Sequence, residues 1–241
     1  ANVLDSIGDP NSNTEGFRTW TPIGNYYDGI FDGQGHTISG LYFNDDSQER
    51  AGLFSRTYDN SKIQNVGIID SYFYAGWSVG GLSAFNSGTI TNCYNTSTVA
   101  AKSGNTIEKR NAGGICGDNL GTITNCYSTG FIKLSMYKGG ICGWVESSGT
   151  IENCYYLEGS ELQGIGYGSG TTTAKTAEQF ASGEVAWLLN GSTAEGEVAW
   201  YQKLGEGGNQ TPVLGSTGKN TVYKDVYADC EAGTLSYGNN L

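Results

Sequence analysis

One sentence-like pattern recurs along this chain and restricts its fold more than any other feature. Gly80-Gly81-Leu82 leads to Gly88-Thr89-Ile90-Thr91-Asn92-Cys93-Tyr94, and Gly113-Gly114-Ile115-Cys116-Gly117 leads to Gly121-Thr122-Ile123-Thr124-Asn125-Cys126-Tyr127. A third copy runs from Gly139-Gly140-Ile141-Cys142-Gly143 to Gly149-Thr150-Ile151-Glu152-Asn153-Cys154-Tyr155, and Ala51-Gly52-Leu53-Phe54 with Lys62-Ile63-Gln64-Asn65-Val66-Gly67 is a weaker first copy. Between Gly52, Gly81, Gly114 and Gly140 the steps are 29, 33 and 26 residues. A loose spacing around constant words means variable loops on a fixed cross-section.

Within each repeat, short β-branched runs alternate with glycine and polar turn residues, and no 3.6-residue stripe is present. A period of about 30 residues suits one coil of a parallel β-helix. The sequence therefore predicts an all-β fold: a right-handed parallel β-helix (a solenoid) of about five coils with a small C-terminal cap containing one helix. Stacked coils would align Ile63, Ile90, Ile123 and Ile151 as an inward ladder, and Asn65, Asn92, Asn125 and Asn153 as amides bonded from coil to coil at a bend. Cys93, Cys126 and Cys154 form a third column with Val66 below them, and Cys116 and Cys142 form a shorter one. In-register side chains hold their Cβ atoms too far apart for a relaxed disulfide, so buried thiols are expected. Cys230 stands apart.

The expected organisation is a lead-in over 1–28, repeats over 29–163, and a glycine-rich linker with a helix-containing cap over 164–241. The repeat stops after Leu157, and Gly164 to Thr173 reads as the linker. Thr176 can cap a helix with Gln179 three residues on, Phe180, Val185, Trp187, Leu188 and Leu189 give it an apolar face, and Asn190-Gly191 ends it. Such a tail would cover the open end of the repeats.

Composition removes several functions. Thirteen Lys and Arg stand against 24 Asp and Glu, a net charge of −11, so nucleic acid is not expected as a partner. The longest clean apolar run, Val185 to Leu189, is too short for membrane insertion. No basic-then-apolar segment opens the chain at Ala1, so any export signal is expected to lie outside it.

The words Gly-Gly-Ile-Cys-Gly, Gly-Thr-Ile-Thr-Asn-Cys-Tyr and Phe-Asp-Gly-Gln-Gly-His-Thr-Ile-Ser-Gly-Leu (Phe31 to Leu41) resemble the GLUG repeat family of bacterial secreted and surface proteins. That family includes adhesin-like proteins and the non-catalytic β-helical region of IgA1-cleaving peptidases. The stretch from Ala177 through Trp187-Leu188-Leu189-Asn190 to Pro212-Val213-Leu214 and Cys230 also resembles the tail that often follows such repeats. The resemblance implies an extracellular or bacterial cell-surface location, a host protein or glycan as partner, and further domains in a longer surface protein. It says little about activity, because a structural repeat defines the family.

Catalytic vocabulary is scarce. The single histidine, His36, excludes a two-His zinc protease and a His-based triad, and reads as a structural residue at a bend. Asp28, Asp32, Asp45, Asp46, Glu49, Asp59 and Asp70 are the acids a glycan-active lyase or hydrolase could use, but they do not recur in a column and read as solvated turn acids. No cofactor is expected. Calcium would suit such acids, yet no Asp-x-Asp-x-Asp-Gly loop supports it.

The ligand-binding candidates are aromatic. Tyr94, Tyr127 and Tyr155, with Tyr156 beside them, should face outward by strand alternation. Trp144 adds a large ring at the column shared with Arg56, Phe85 and Asp118. The expectation is a non-catalytic, adhesin-like binding scaffold; the alternatives are a glycan-active enzyme using the early acids and a structural spacer. The tyrosine column could also stabilise the sheet or lie beneath the tail, and the variable loop over Thr96 to Ala112, with Lys102 to Arg110 at its centre, offers a loop rim as the alternative site.

Overall fold

The computed structural model describes residues 2–5, 8–11, 16–103, 109–159, 162–215, 220–225 and 236–239. Cys230 lies outside the described residues. Three parallel sheets carry the repeats. The first has nine strands: Ile30–Asp32, Thr37–Ser39, Lys62–Ile69, Thr89–Asn95, Thr122–Thr124, Tyr127–Ser128, Thr150–Glu152, Cys154–Leu157 and Thr172–Lys175. The second has four: Tyr42–Asp45, Tyr72–Ala75, Thr98–Ala101 and Ile132–Lys133.

The third sheet overturns the expected architecture. Seven parallel strands follow the order Arg50–Ala51, Ser78–Gly80, Asn111–Gly113, Tyr137–Val145, Cys116–Asn119, Ser83–Asn86, Phe54–Thr57. The path goes out through one strand of each repeat and comes back through the next, turning at the unbroken strand Tyr137–Val145. The result is a nearly closed, barrel-like sheet, with Gln163–Tyr167 paired to Tyr137–Val145. A right-handed parallel β-helix of about five coils is thus corrected to a mostly β fold of parallel sheets, one of them nearly closed.

Glycine lets strands of this sheet approach closely. A Cβ on Gly117 would lie 2.8 Å from the Val79 nitrogen, and one on Gly143 would lie 2.7 Å from the Ala112 nitrogen. The last glycine of the Gly-Gly-Ile-Cys-Gly word therefore lets two strands of the same sheet meet backbone to backbone. Repeat spacing fixes which residues are neighbours from copy to copy, but leaves open how the sheet closes.

Neighbour register follows the repeated words. Phe31, Ile63, Ile90, Ile123 and Ile151 pair in succession, and all four isoleucines are buried. Each such side chain contributes roughly 1.5–3 kcal/mol by leaving water. Asn65, Asn92, Asn125 and Asn153 hold φ of 55, 50, 53 and 48°, a left-handed bend that asparagine tolerates better than most residues. Asn92 donates to Asn65 Oδ1 at 3.3 Å and Asn153 to Asn125 Oδ1 at 2.8 Å. The buried Asn86 and Asn119 are linked by a second amide bond of 2.8 Å, and Thr57 donates to Asn86 at 2.8 Å. Cys93, Cys116, Cys126, Cys142 and Cys154 are free, buried thiols. Burial pushes the Cys116 and Cys126 thiols well above their ordinary pKa.

Both ends differ from the expected boundaries. Before Gly29, parallel bridges already join Thr19 to Tyr42, Ile23 to Phe54 and Tyr27 to Thr57. The stretch from Gly164 to Thr173 is not a linker, because Gln163–Tyr167 and Thr172–Lys175 extend two of the parallel sheets. Beyond it the expected single helix is two: α1 (Ala177–Ala181) and α2 (Glu184–Leu189). Thr176 and Gln179 form the reciprocal cap that the sequence predicts. Gly183, at φ 94°, breaks the run into two. Two antiparallel pairs, Trp200–Tyr201 with Val213–Leu214 and Val222–Asp225 with Ser236–Asn239, complete the tail.

Candidate functional site

The tyrosine column is in register, but the tail lies over it. Tyr94, Tyr127 and Tyr155 pair in succession, and the Tyr94 and Tyr127 rings stack 5.0 Å apart at 6°. They form one buried cluster with Phe180, Val185, Ala186, Leu189, Trp200 and Leu214. Tyr127 is 0% exposed. Gly67 stands opposite Tyr94 because a Cβ there would fall 2.2 Å from the ring. As a ligand face this column is corrected: its rings serve the junction between repeats and tail. Tyr156 is half-buried and lies over Gly140.

The early acids are also accounted for locally. Asp32 accepts from the Gln34 amide at 2.9 Å, Asn65 at 3.1 Å and Gln64 at 2.8 Å, and these bonds hold its carboxyl below the ordinary range. Asp45 accepts from Ser47 and Asp46 pairs with Lys102 at 3.1 Å. Asp70 accepts from the Val3 and Leu4 amides, and Glu49 faces Arg50 at 3.4 Å. Asp28 and Asp59 are exposed. His36 is exposed and its amide closes a turn onto Gly33 at 2.8 Å.

Trp144 leads to a different surface. Strands Phe54–Thr57, Ser83–Asn86 and Cys116–Asn119 share one burial pattern, in which only the third residue reaches the surface. Those third residues are Arg56, Phe85 and Asp118, and the register continues through Trp144 to Tyr167. A parallel column of Arg50, Ser78, Asn111 and Tyr137 runs on the outgoing strands. Between them lies a groove with a cavity of about 330 Å³, closed at its margins by Trp77, Lys109 and Glu146.

The groove has a charged end and an aromatic end. Trp144 stacks face to face on Tyr167 at 3.9 Å and 16°, and Tyr137 meets Trp144 edge-on at 5.1 Å. Lys109 Nζ sits 3.9 Å from the Trp144 ring centre. Trp77 and Tyr167 are 53% and 51% exposed, far above the 9% of Trp144. At the other end the Arg56 and Arg50 guanidinium groups lie 4.4 and 6.0 Å from the Phe85 ring centre. Asp118 accepts a hydrogen bond from the Asn111 amide in the middle of the groove. Burial pushes its carboxyl up to about 6, against the partial opposition of Ser78, Asn111 and Arg50.

Polar atoms without a protein partner gather here. Among the described residues, Arg56 Nε, Asn111 Oδ1 and Trp144 Nε1 are buried and have no hydrogen-bond partner. Buried polar groups are ordinarily paired, and two of these three atoms belong to residues that line the cavity, Asn111 and Trp144. The sequence singles out Trp144, Arg56, Phe85 and Asp118 as a column and offers the loop over Thr96 to Ala112, which holds Lys109 and Asn111, as an alternative rim, but misses Trp77 and Tyr167. The one signal available for Tyr167 was its position beyond the last clear word. Among the described residues, no group of three or more His, Cys, Asp or Glu is placed to hold a metal ion. No family model matches this chain, and no curated protein sequence matches it.

Proposed function

We propose that this chain is a non-catalytic binding scaffold, secreted or displayed at a bacterial surface, whose groove takes a glycan. The observation that carries the reading is the exposed ring of Trp77 on a cavity that the polar groups of Lys109, Asn111 and Asp118 also line. Sugar rings present apolar faces to aromatic planes and hydroxyls that both donate and accept. A flat protein partner would need a larger apolar patch than these rings provide. The likeness of the repeats to GLUG proteins supports the compartment and the adhesin-like role.

Titration of the whole chain against a glycan array, followed by calorimetry on the hits, tests this. Trp144→Ala and Trp77→Ala should each weaken binding by roughly tenfold or more, as central aromatic anchors do. Binding that is untouched by both changes would place the ligand elsewhere.

A second reading rests on Asp118. A carboxyl held near 6, beside Glu146, has the protonation needed of a general acid toward a glycosidic oxygen. Release of reducing ends from a bound glycan, abolished by Asp118→Asn, would favour it. Binding without turnover favours the scaffold.

A further inference from the structure

From the paired guanidinium groups of the groove we infer that its ligand is an acidic oligosaccharide, its anionic group held by Arg50 and Arg56 and a sugar ring held on the exposed Trp77. This inference rests on the glycan reading above and names the class of glycan.

The whole chain carries a net charge of −11, yet two guanidinium groups converge on the single ring of Phe85. Like charges repel, and an acidic protein has carboxylates to spare, so such a pair would ordinarily be neutralised from within. Among the described residues the ion pair found here is Arg50 with Glu49, a half-exposed contact at 3.4 Å. Arg56 makes cation–π contacts with Tyr26, Tyr58 and Phe85 instead, and its Nε is buried without a hydrogen-bond partner. Aromatic walls hold a guanidinium in place without occupying its N–H groups. The terminal N–H groups remain available to an anion, and planar forked donors suit carboxylate or sulfate oxygens.

The acids of the groove, Asp118 and Glu146, are offset in the same cavity by Arg50 and Lys109. Length is argued by continuity. Arg50 borders both the cavity of about 330 Å³ and a second one of about 850 Å³, which Trp20, Tyr26 and Arg56 also line. One track thus runs across the repeats, and a chain of sugars fills it where a single sugar cannot.

The probes are a size-defined oligogalacturonate, a heparin-derived oligosaccharide and a neutral xylo-oligosaccharide of equal length, titrated calorimetrically into the full chain at low and high salt. The expected result is that the carboxylated probe, the sulfated probe or both bind at least about tenfold tighter than the neutral one at low salt, with that margin shrinking as salt rises. Arg56→Gln should remove the margin and Arg56→Lys should restore part of it; Arg50→Gln serves as an independent variant, with thermal melts confirming that each folds. A carboxylate-only or sulfate-only preference identifies the anion. Equal affinity for charged and neutral probes, unchanged by Arg56→Gln, overturns this inference and leaves the glycan reading standing. Absence of binding by all three probes, together with an array on which no glycan binds, overturns both.

Discussion

The hydroxyl of Tyr127 donates a 2.7 Å hydrogen bond to the carbonyl of Pro212, 85 residues further along the chain. The ring below that hydroxyl is wholly buried against Phe180 and Trp200, with centroids at 5.6 and 5.4 Å. A residue that reads as an outward ligand anchor is therefore part of the bond between repeats and tail. Tyr127→Phe should cost about 1–3 kcal/mol by leaving the Pro212 carbonyl unpaired. Tyr127→Ala should cost about 3–5 kcal/mol through the cavity it leaves. Urea unfolding measures both. Glycan affinity of the folded Tyr127→Phe variant should be unchanged, and a large loss would return the tyrosine column to the binding surface.

Removing the tail tests the same junction from the other side. The parallel strands run to Lys175, so a chain ending there keeps them and loses both helices and the antiparallel pairs. Tyr94, Tyr127 and Tyr155 would then be uncovered as one apolar strip together with Ile69 and Leu157. Contiguous exposed apolar surface drives association. The shortened chain should bind a hydrophobic dye and sediment as oligomers; a monomeric, dye-silent product would show that the tail contributes little to covering this face.

What could be read from sequence divides along a physical line. The isoleucine ladder, the asparagine bend and the Thr176 cap all depend on residues that are either repeated in place or close along the chain. Such features follow from period and local hydrogen bonding. The arrangement of the third sheet brings Gly117 against Val79 and Gly143 against Ala112, approaches set by backbone packing between strands of adjoining segments, so glycine content alone could not reveal them. Coverage of the tyrosines depends on where a non-repeated tail docks. The groove was legible only in part: the repeat aligns Arg56, Phe85, Asp118 and Trp144 in one column, but Trp77 and Tyr167 fall outside the repeated words and carry no such signal.

The asparagine bend makes a graded prediction. Asn125 has φ 53° and accepts from the Asn153 amide at 2.8 Å. Asn125→Ala loses the side-chain bond and places a Cβ residue without local polar compensation in the left-handed region, at a combined cost of about 2–3 kcal/mol. Asn125→Gly loses the bond but not the conformational ease, so it should be about 1 kcal/mol milder. Thermal or urea melts rank the two. Equal destabilisation would mean that the amide bond alone matters at this bend.

Asp118 gives the groove a pH dependence whose direction can be worked out. Its carboxyl titrates near 6 in the folded chain, raised from an ordinary 3.8 chiefly by burial. Between those values the folded chain keeps a proton that the unfolded chain has lost, so this residue's contribution to stability falls as pH rises from about 4 to about 6. Above that range its ionised form costs at most about 3 kcal/mol, less wherever water reaches the half-exposed side chain. Asp118→Asn keeps an oxygen to accept from Asn111 and removes the titration. Its stability relative to the parent should therefore rise across pH 4 to 6 and level off above it, whereas Asp32 and Asp45, whose carboxyls are held low by hydrogen bonds, make the same background contribution in both chains. Urea midpoints at half-unit pH steps measure the difference. A constant offset from pH 4 to 8 would show that Asp118 titrates like an ordinary surface carboxylate, and the groove would lose its proton-controlled charge.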